Sequence, residues 1–102
     1  MMVLRYNGEF CNLLTTIADE DNFAVAIALL KKGPLSFSEL QKEVTINKNS
    51  LIKHLDELLE CSYVFSKKSG REKVFYLNKG TIVPILSIMS SHIKKHHIKP
   101  KH

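Results

Sequence analysis

The chain has 102 residues, of which 44% are hydrophobic and 25% charged, and its 15 Lys+Arg against 10 Asp+Glu give a formal net charge of +5. That length is one domain's worth and leaves no room for a cofactor domain beside a catalytic one. With only 4 Gly and 3 Pro, the composition excludes collagen-like, low-complexity and globally disordered classes.

Phe10, Leu13, Leu14 and Ile17 fall at i, i+3, i+4, i+7, which predicts a first helix from about Gly8 to Ala18 with one apolar face. The acidic run Asp19-Glu20-Asp21-Asn22 then supplies N-cap candidates for a second helix, Phe23 to Lys32. Lys31 and Lys32 suit the negative end of its dipole, and Gly33-Pro34 end it. Ser36-Phe37-Ser38-Glu39 has capping-box spacing and opens a short helix from Phe37 to Val44, with Phe37, Leu40 and Val44 inward. After the turn Thr45-Ile46-Asn47, a further helix runs from Lys48 to about Glu60 with Leu51, Leu55, Leu58 and Leu59 inward. Two capped helices joined by three residues make a helix-turn-helix.

The period then changes from 3.6 to 2. Tyr63–Ser66 and Lys73–Leu77 are aromatic and β-branched runs separated by Lys67-Lys68-Ser69-Gly70-Arg71-Glu72, a β-hairpin with a basic tip. A last helix from Asn78 to about His96 carries Ile82, Ile85, Leu86, Met89 and Ile93 on a broad apolar face. Pro84 either bends this helix or starts it. The expected organisation is one α+β, mainly α domain over residues 1 to 97, followed by a basic tail from 98 to 102.

The charge is polarised along this plan. Residues 1 to 60 hold six basic and nine acidic residues, net −3, whereas residues 61 to 102 hold nine basic residues and one acidic, Glu72, net +8. A lopsided basic half points to a polyanionic partner, nucleic acid before a membrane surface. No apolar run approaches the ~20 residues of a membrane span, and the N-terminus lacks the pattern of a signal peptide, so a cytoplasmic location is expected. Cys11 and Cys61 have no CxxC spacing and are expected as reduced thiols, both structural. No phosphate loop, metalloprotease pair or activated nucleophile is present, so the sequence argues against an enzyme and calls for no cofactor. His92 and His96 stand i, i+4, a metal-capable spacing, but Lys94 and Lys95 beside them favour a basic surface ending instead.

The order helix, helix, helix-turn-helix, hairpin, helix, with Gly33-Pro-Leu-Ser-Phe-Ser-Glu-Leu40 followed by Asn47-Lys-Asn-Ser-Leu-Ile-Lys-His-Leu55, resembles the winged helix-turn-helix regulators of the ArsR and HxlR groups, small prokaryotic DNA-binding proteins. The resemblance covers roughly residues 20 to 95. It implies that the helix after the turn is the recognition helix, that the hairpin is the wing, and that the first and last helices pair with those of a second subunit. The chain departs from the pattern at Ser62, where a Gly usually follows the recognition helix, and in lacking a Cys-rich metal motif between Phe37 and Val44.

A recognition helix presents its N-terminal residues to base edges. Here those are Asn47, Lys48, Asn49, Ser50, Ile52, Lys53 and His54, with Asp56, Glu57 and Glu60 confined to the second half. Asn49 suits an adenine edge and Ile52 a thymine methyl, while Asn47 serves equally well as a cap. Lys67, Lys68, Arg71 and Lys73 are the expected phosphate or minor-groove contacts of the wing. The apolar residues Phe10, Leu13, Leu14 and Ile17 of the first helix and Ile82, Leu86, Met89 and Ile93 of the last are the expected faces of a twofold homodimer. The expected activity is sequence-specific double-stranded DNA binding in transcription regulation. The alternative is a winged-helix module that binds protein within a larger complex.

Overall fold

A computed structural model describes residues 12–101. Residues 12–18 are helical (α1), followed by α2 (Glu20–Lys32), β1 (Leu35–Ser36), α3 (Phe37–Glu43), α4 (Lys48–Glu60), β2 (Val64–Ser69), β3 (Glu72–Leu77) and α5 (Lys79–His96). Phe10 and Cys11 lie outside the described residues. Residues 98–101 form neither helix nor strand.

Local signals set most boundaries. Asp19 caps α2, its carboxylate accepting the Asp21 and Asn22 amides at 3.0 Å each. The helix therefore starts at Glu20 rather than Phe23, and Asn22 is inside it, not at its cap. Ser36 Oγ accepts the Glu39 amide at 3.2 Å and Glu39 Oε1 accepts the Ser36 amide at 2.8 Å, the reciprocal capping box. The Ser36 amide, and after it the Ser36 hydroxyl, hold the Glu39 carboxyl below its ordinary range. Asn47 Oδ1 accepts the Ser50 amide at 2.9 Å and caps α4.

The C-terminus of α4 is a Schellman turn: the Tyr63 amide reaches the Leu58 carbonyl at 3.0 Å and the Ser62 amide the Leu59 carbonyl at 3.1 Å. It puts Ser62 at φ 57°, a left-handed conformation that glycine tolerates better. Pro84 lies inside α5, which begins five residues earlier at Lys79, so the helix does not start at the proline.

The sheet is three-stranded and antiparallel in the order β1-β3-β2. Leu35 pairs with Phe75 and Ser36 with Val74, so the two residues before α3 join the edge of the hairpin. A strand this short carries no readable alternation, and its pairing follows from the register of β3. The hairpin closes more tightly than the sequence suggests. Ser69 pairs with Glu72, leaving Gly70-Arg71 as a two-residue turn with Gly70 at φ 65°, and Lys67, Lys68 and Lys73 lie within the strands.

The core joins Val25, Ala26 and Leu29 of α2, Leu40 of α3, Leu51, Leu55 and Leu58 of α4, Val64, Phe75 and Leu77 of the sheet, and Tyr63 and Ile82. Burying each leucine contributes roughly 1.5–3 kcal/mol. This core holds α3, α4 and the hairpin as one unit, with the outer face of α4 left free.

Candidate nucleic-acid interface

Helix α4 is sharply two-faced. Leu51, Leu55 and Leu58 are buried, whereas Lys48, Asn49, Ile52 and Lys53 are exposed, Ile52 to 44%. A large aliphatic residue held in solvent on the outside of a capped helix is not there for the core. Asn47 is exposed beside them and spends its Oδ1 on the cap, and Ser50 is half-buried.

His54 departs from expectation. It is 7% exposed and turned inward, its Nδ1 bonded to Asn22 Oδ1 at 2.8 Å, so it is not available to a groove. The i, i+3 spacing from Leu51 places it on the inner stripe, which its polarity had masked. Asn22 itself was missed. It is 1% exposed and falls in register with Val25, Ala26 and Leu29 of α2, a pattern the sequence does carry.

On the wing, Lys67, Lys68, Arg71 and Lys73 are all exposed. Lys68 and Lys73 stand directly opposite each other across the ladder. Like charges in that position destabilise a hairpin, and among the described residues none of the four forms an ion pair with a carboxylate. Glu72, the one acid nearby, is engaged instead by Ser38 Oγ, which donates to its Oε1 at 3.2 Å and ties the wing to the start of α3.

The residues expected at a subunit interface divide. Leu13, Leu14, Met89 and Ile93 are 37%, 65%, 54% and 47% exposed. Ile17 and Leu86 are half-buried against the core, and Ile82, at 1% exposure, belongs to the core outright and is no interface residue. Ile82 sits in the first turn of α5 and joins the core cluster, whereas the apolar residues of later turns are half-buried or exposed. Between α1, α2 and α5 runs an open groove of about 650 Å³, lined by Leu14, Ile17, Phe23, Ile85 and Met89 among others.

Cys61 is half-buried, its Sγ donating to Thr16 Oγ1 at 3.3 Å. Tyr63 donates to the Leu13 carbonyl at 2.8 Å, and burial pushes its phenol upward. The rings of His92 and His96 lie 4.4 Å apart, and among the described residues no set of three or more His, Cys, Asp or Glu is placed to hold a metal. No helix among them is long and apolar enough to cross a membrane.

Neither protein-family models nor curated proteins give a match to the chain. Solved structures do. The transcriptional repressor BigR from Xylella fastidiosa superposes with a TM-score of 0.71 at 19% identity, covering 87% of this chain and 90% of its own. HlyU from Vibrio cholerae, in its reduced form, gives 0.72 at 19% identity, over 86% of this chain and 92% of its own. An ArsR-like transcriptional regulator from Rhodococcus sp. RHA1 gives 0.62 at 22% identity, over 88% and 83%. At these identities the likeness is one of fold: the chain has the winged-helix fold of ArsR-type regulators.

Proposed function

We propose that this chain is a homodimeric, sequence-specific double-stranded DNA-binding transcription regulator. The observation that carries the reading is the pairing of Lys68 with Lys73, unneutralised on a wing tied to the helix-turn-helix. Such a pair costs stability in the free protein and gains it when a phosphate lies between the two ammonium groups. The exposed face of α4 supports the same reading. Lys48 and Lys53 provide phosphate contacts, Asn49 an amide matched to an adenine edge, and Ile52 an apolar contact for a thymine methyl. Asp56 and Glu60 are exposed in the second half of the helix, so phosphate repulsion there orients the helix with its start toward the duplex.

A salt titration tests this. Binding to a mixed-sequence duplex is expected to fall steeply with salt, because each neutralised phosphate releases counterions and contributes about 0.9 to the slope of log affinity against log salt. A duplex enriched from a random pool should bind more tightly at every salt concentration. Absence of both effects would transfer the basic wing to the role of a solubilising hairpin on a protein-binding module.

A further inference from the structure

The polar side chains buried among the described residues are Asn22, Ser36 and His54. Ser36 belongs to the capping box of α3, and the other two are bonded to each other. Asn22 stands where α1, α2 and α4 meet. Its Nδ2 donates to the Thr16 carbonyl of α1 at 2.9 Å and to Glu57 Oε1 of α4 at 3.2 Å, which turns Oδ1 toward His54 Nδ1 at 2.8 Å. An amide oxygen only accepts, so the proton of that bond resides on Nδ1. The other ring nitrogen, Nε2, faces Asp21 Oδ2 at 3.4 Å, while Asp19 Oδ1 and Glu57 Oε1 lie 3.7 and 3.5 Å from Nδ1. Residues 12–18 of α1 contain no charged side chain. The charges facing the ring are therefore the carboxylates of Asp19 and Asp21, at the start of α2, and of Glu57, on α4.

We propose that His54 is a positioning residue for the recognition helix: it touches no base, and through Asn22 it fixes the angle at which α4 leaves α1 and α2, with a second proton on Nε2 tightening that hold. The inference rests on the DNA-binding reading of α4 given above. Its logic is directional. Leucines along the inner face of α4 hold the helix against the core but tolerate small slides, whereas a satisfied buried hydrogen-bond network admits one geometry. Base-edge contacts need placement within about 0.5 Å, while Lys–phosphate contacts on long flexible stems do not. Loss of the His54–Asn22 bond therefore falls on sequence discrimination. With Nε2 unprotonated, its lone pair meets the Asp21 oxygen. With Nε2 protonated, the same approach becomes a charge-assisted hydrogen bond. Lowering the pH over the range in which imidazoles as a class gain a proton while carboxylates stay ionised, about pH 8 to pH 6, is the way to test that second proton, with a His54 variant separating this ring from the other histidines.

The test measures affinity for two probes, a duplex enriched by the wild-type protein from a random pool and a mixed-sequence duplex, at about pH 8 and pH 6. His54→Leu should lower the ratio of the two affinities about tenfold, the discrimination of roughly one base pair, while mixed-duplex affinity stays within about twofold. His54→Asn, which keeps an uncharged donor where Nδ1 stood, should retain the ratio near pH 8 and lose the gain that the wild type shows near pH 6. Equal losses on both duplexes, or an unchanged pH profile in His54→Asn, overturn the proposal. Should a variant fail to fold, ring-nitrogen NMR of the wild type decides. A persistent Nδ1 proton, with Nε2 protonation strengthened by the enriched duplex, supports it, and a ring protonated only on Nε2 overturns it. If the wild type binds no duplex, the DNA reading falls and takes this one with it. A failed pH or ratio test with binding intact removes this one alone.

Discussion

Asn49 and Ile52 sit three residues apart on one exposed helical face, so their side chains are neighbours. An amide that pairs an adenine edge bidentately beside an alkyl group that touches a thymine methyl reads two adjacent features of a groove. Asn49→Ala is expected to cost roughly 1 to 3 kcal/mol on the preferred duplex and little on a mixed one, measured by titrating both at fixed salt. Because Asn49 is exposed and Asn47 supplies the cap, the melting temperature should not move. Equal losses on both duplexes would make Asn49 a backbone contact. The contrast with His54 shows where residue-level reading of a sequence stops. Both are polar residues of the same helix, but His54 is in phase with Leu51 on the inner stripe, and a partner on α2, 32 positions away, satisfies it there.

At the scale of elements, α4 ends in a strained turn and the wing carries unpaired charge, and each makes a prediction. Ser62 at φ 57° occupies the left-handed position of the Schellman turn, so Ser62→Gly should stabilise the fold by about 0.5–1 kcal/mol, read as a higher midpoint in chemical unfolding with unchanged slope. The wing prediction concerns salt. Arg71 is an exposed turn residue, so Arg71→Ala should leave stability nearly unchanged, whereas Lys68→Ala relieves the like-charge pair with Lys73 and should raise stability by roughly 0.2–1 kcal/mol. Each should flatten the salt slope of DNA binding by about 0.9 per subunit. An unaltered slope in the double variant would remove the wing from the interface.

The helix-turn-helix and its caps were legible because Ser36, Glu39 and Asn47 act on amides three residues away or less. The hairpin was legible through its aromatic and β-branched runs. Its turn was not, since Lys67, Lys68 and Glu72 look like loop residues until the Phe75 and Tyr76 register extends the ladder past them. β1 was invisible for a related reason: two residues form a strand only because Phe75 and Val74 offer an edge.

For the whole molecule, the question is what covers α5. Its apolar residues divide by depth rather than by type, and the sequence, which shows one broad stripe, could not make that division. Ile82 is closed into the core, whereas Ile88, Met89 and Ile93 are 70%, 54% and 47% exposed, and of these Met89 lines the apolar groove between α1, α2 and α5. Exposed aliphatic residues in contiguous turns of one helix, beside a further exposed leucine pair on α1, exceed the scattered surface hydrophobics of a monomer. A second copy meeting this face about a twofold axis would bury them and place two recognition helices to read half-sites about one helical turn apart. Met89→Lys is thus expected to convert a dimer into a folded 11.6 kDa monomer in sedimentation, and to weaken binding to a two-half-site duplex far more than to a single half-site. Ile82→Lys serves as the contrast: a buried lysine there should unfold the chain rather than dissociate it. A wild type that sediments as a monomer at micromolar concentration would rule out the dimer, leaving the exposed α5 face to another partner.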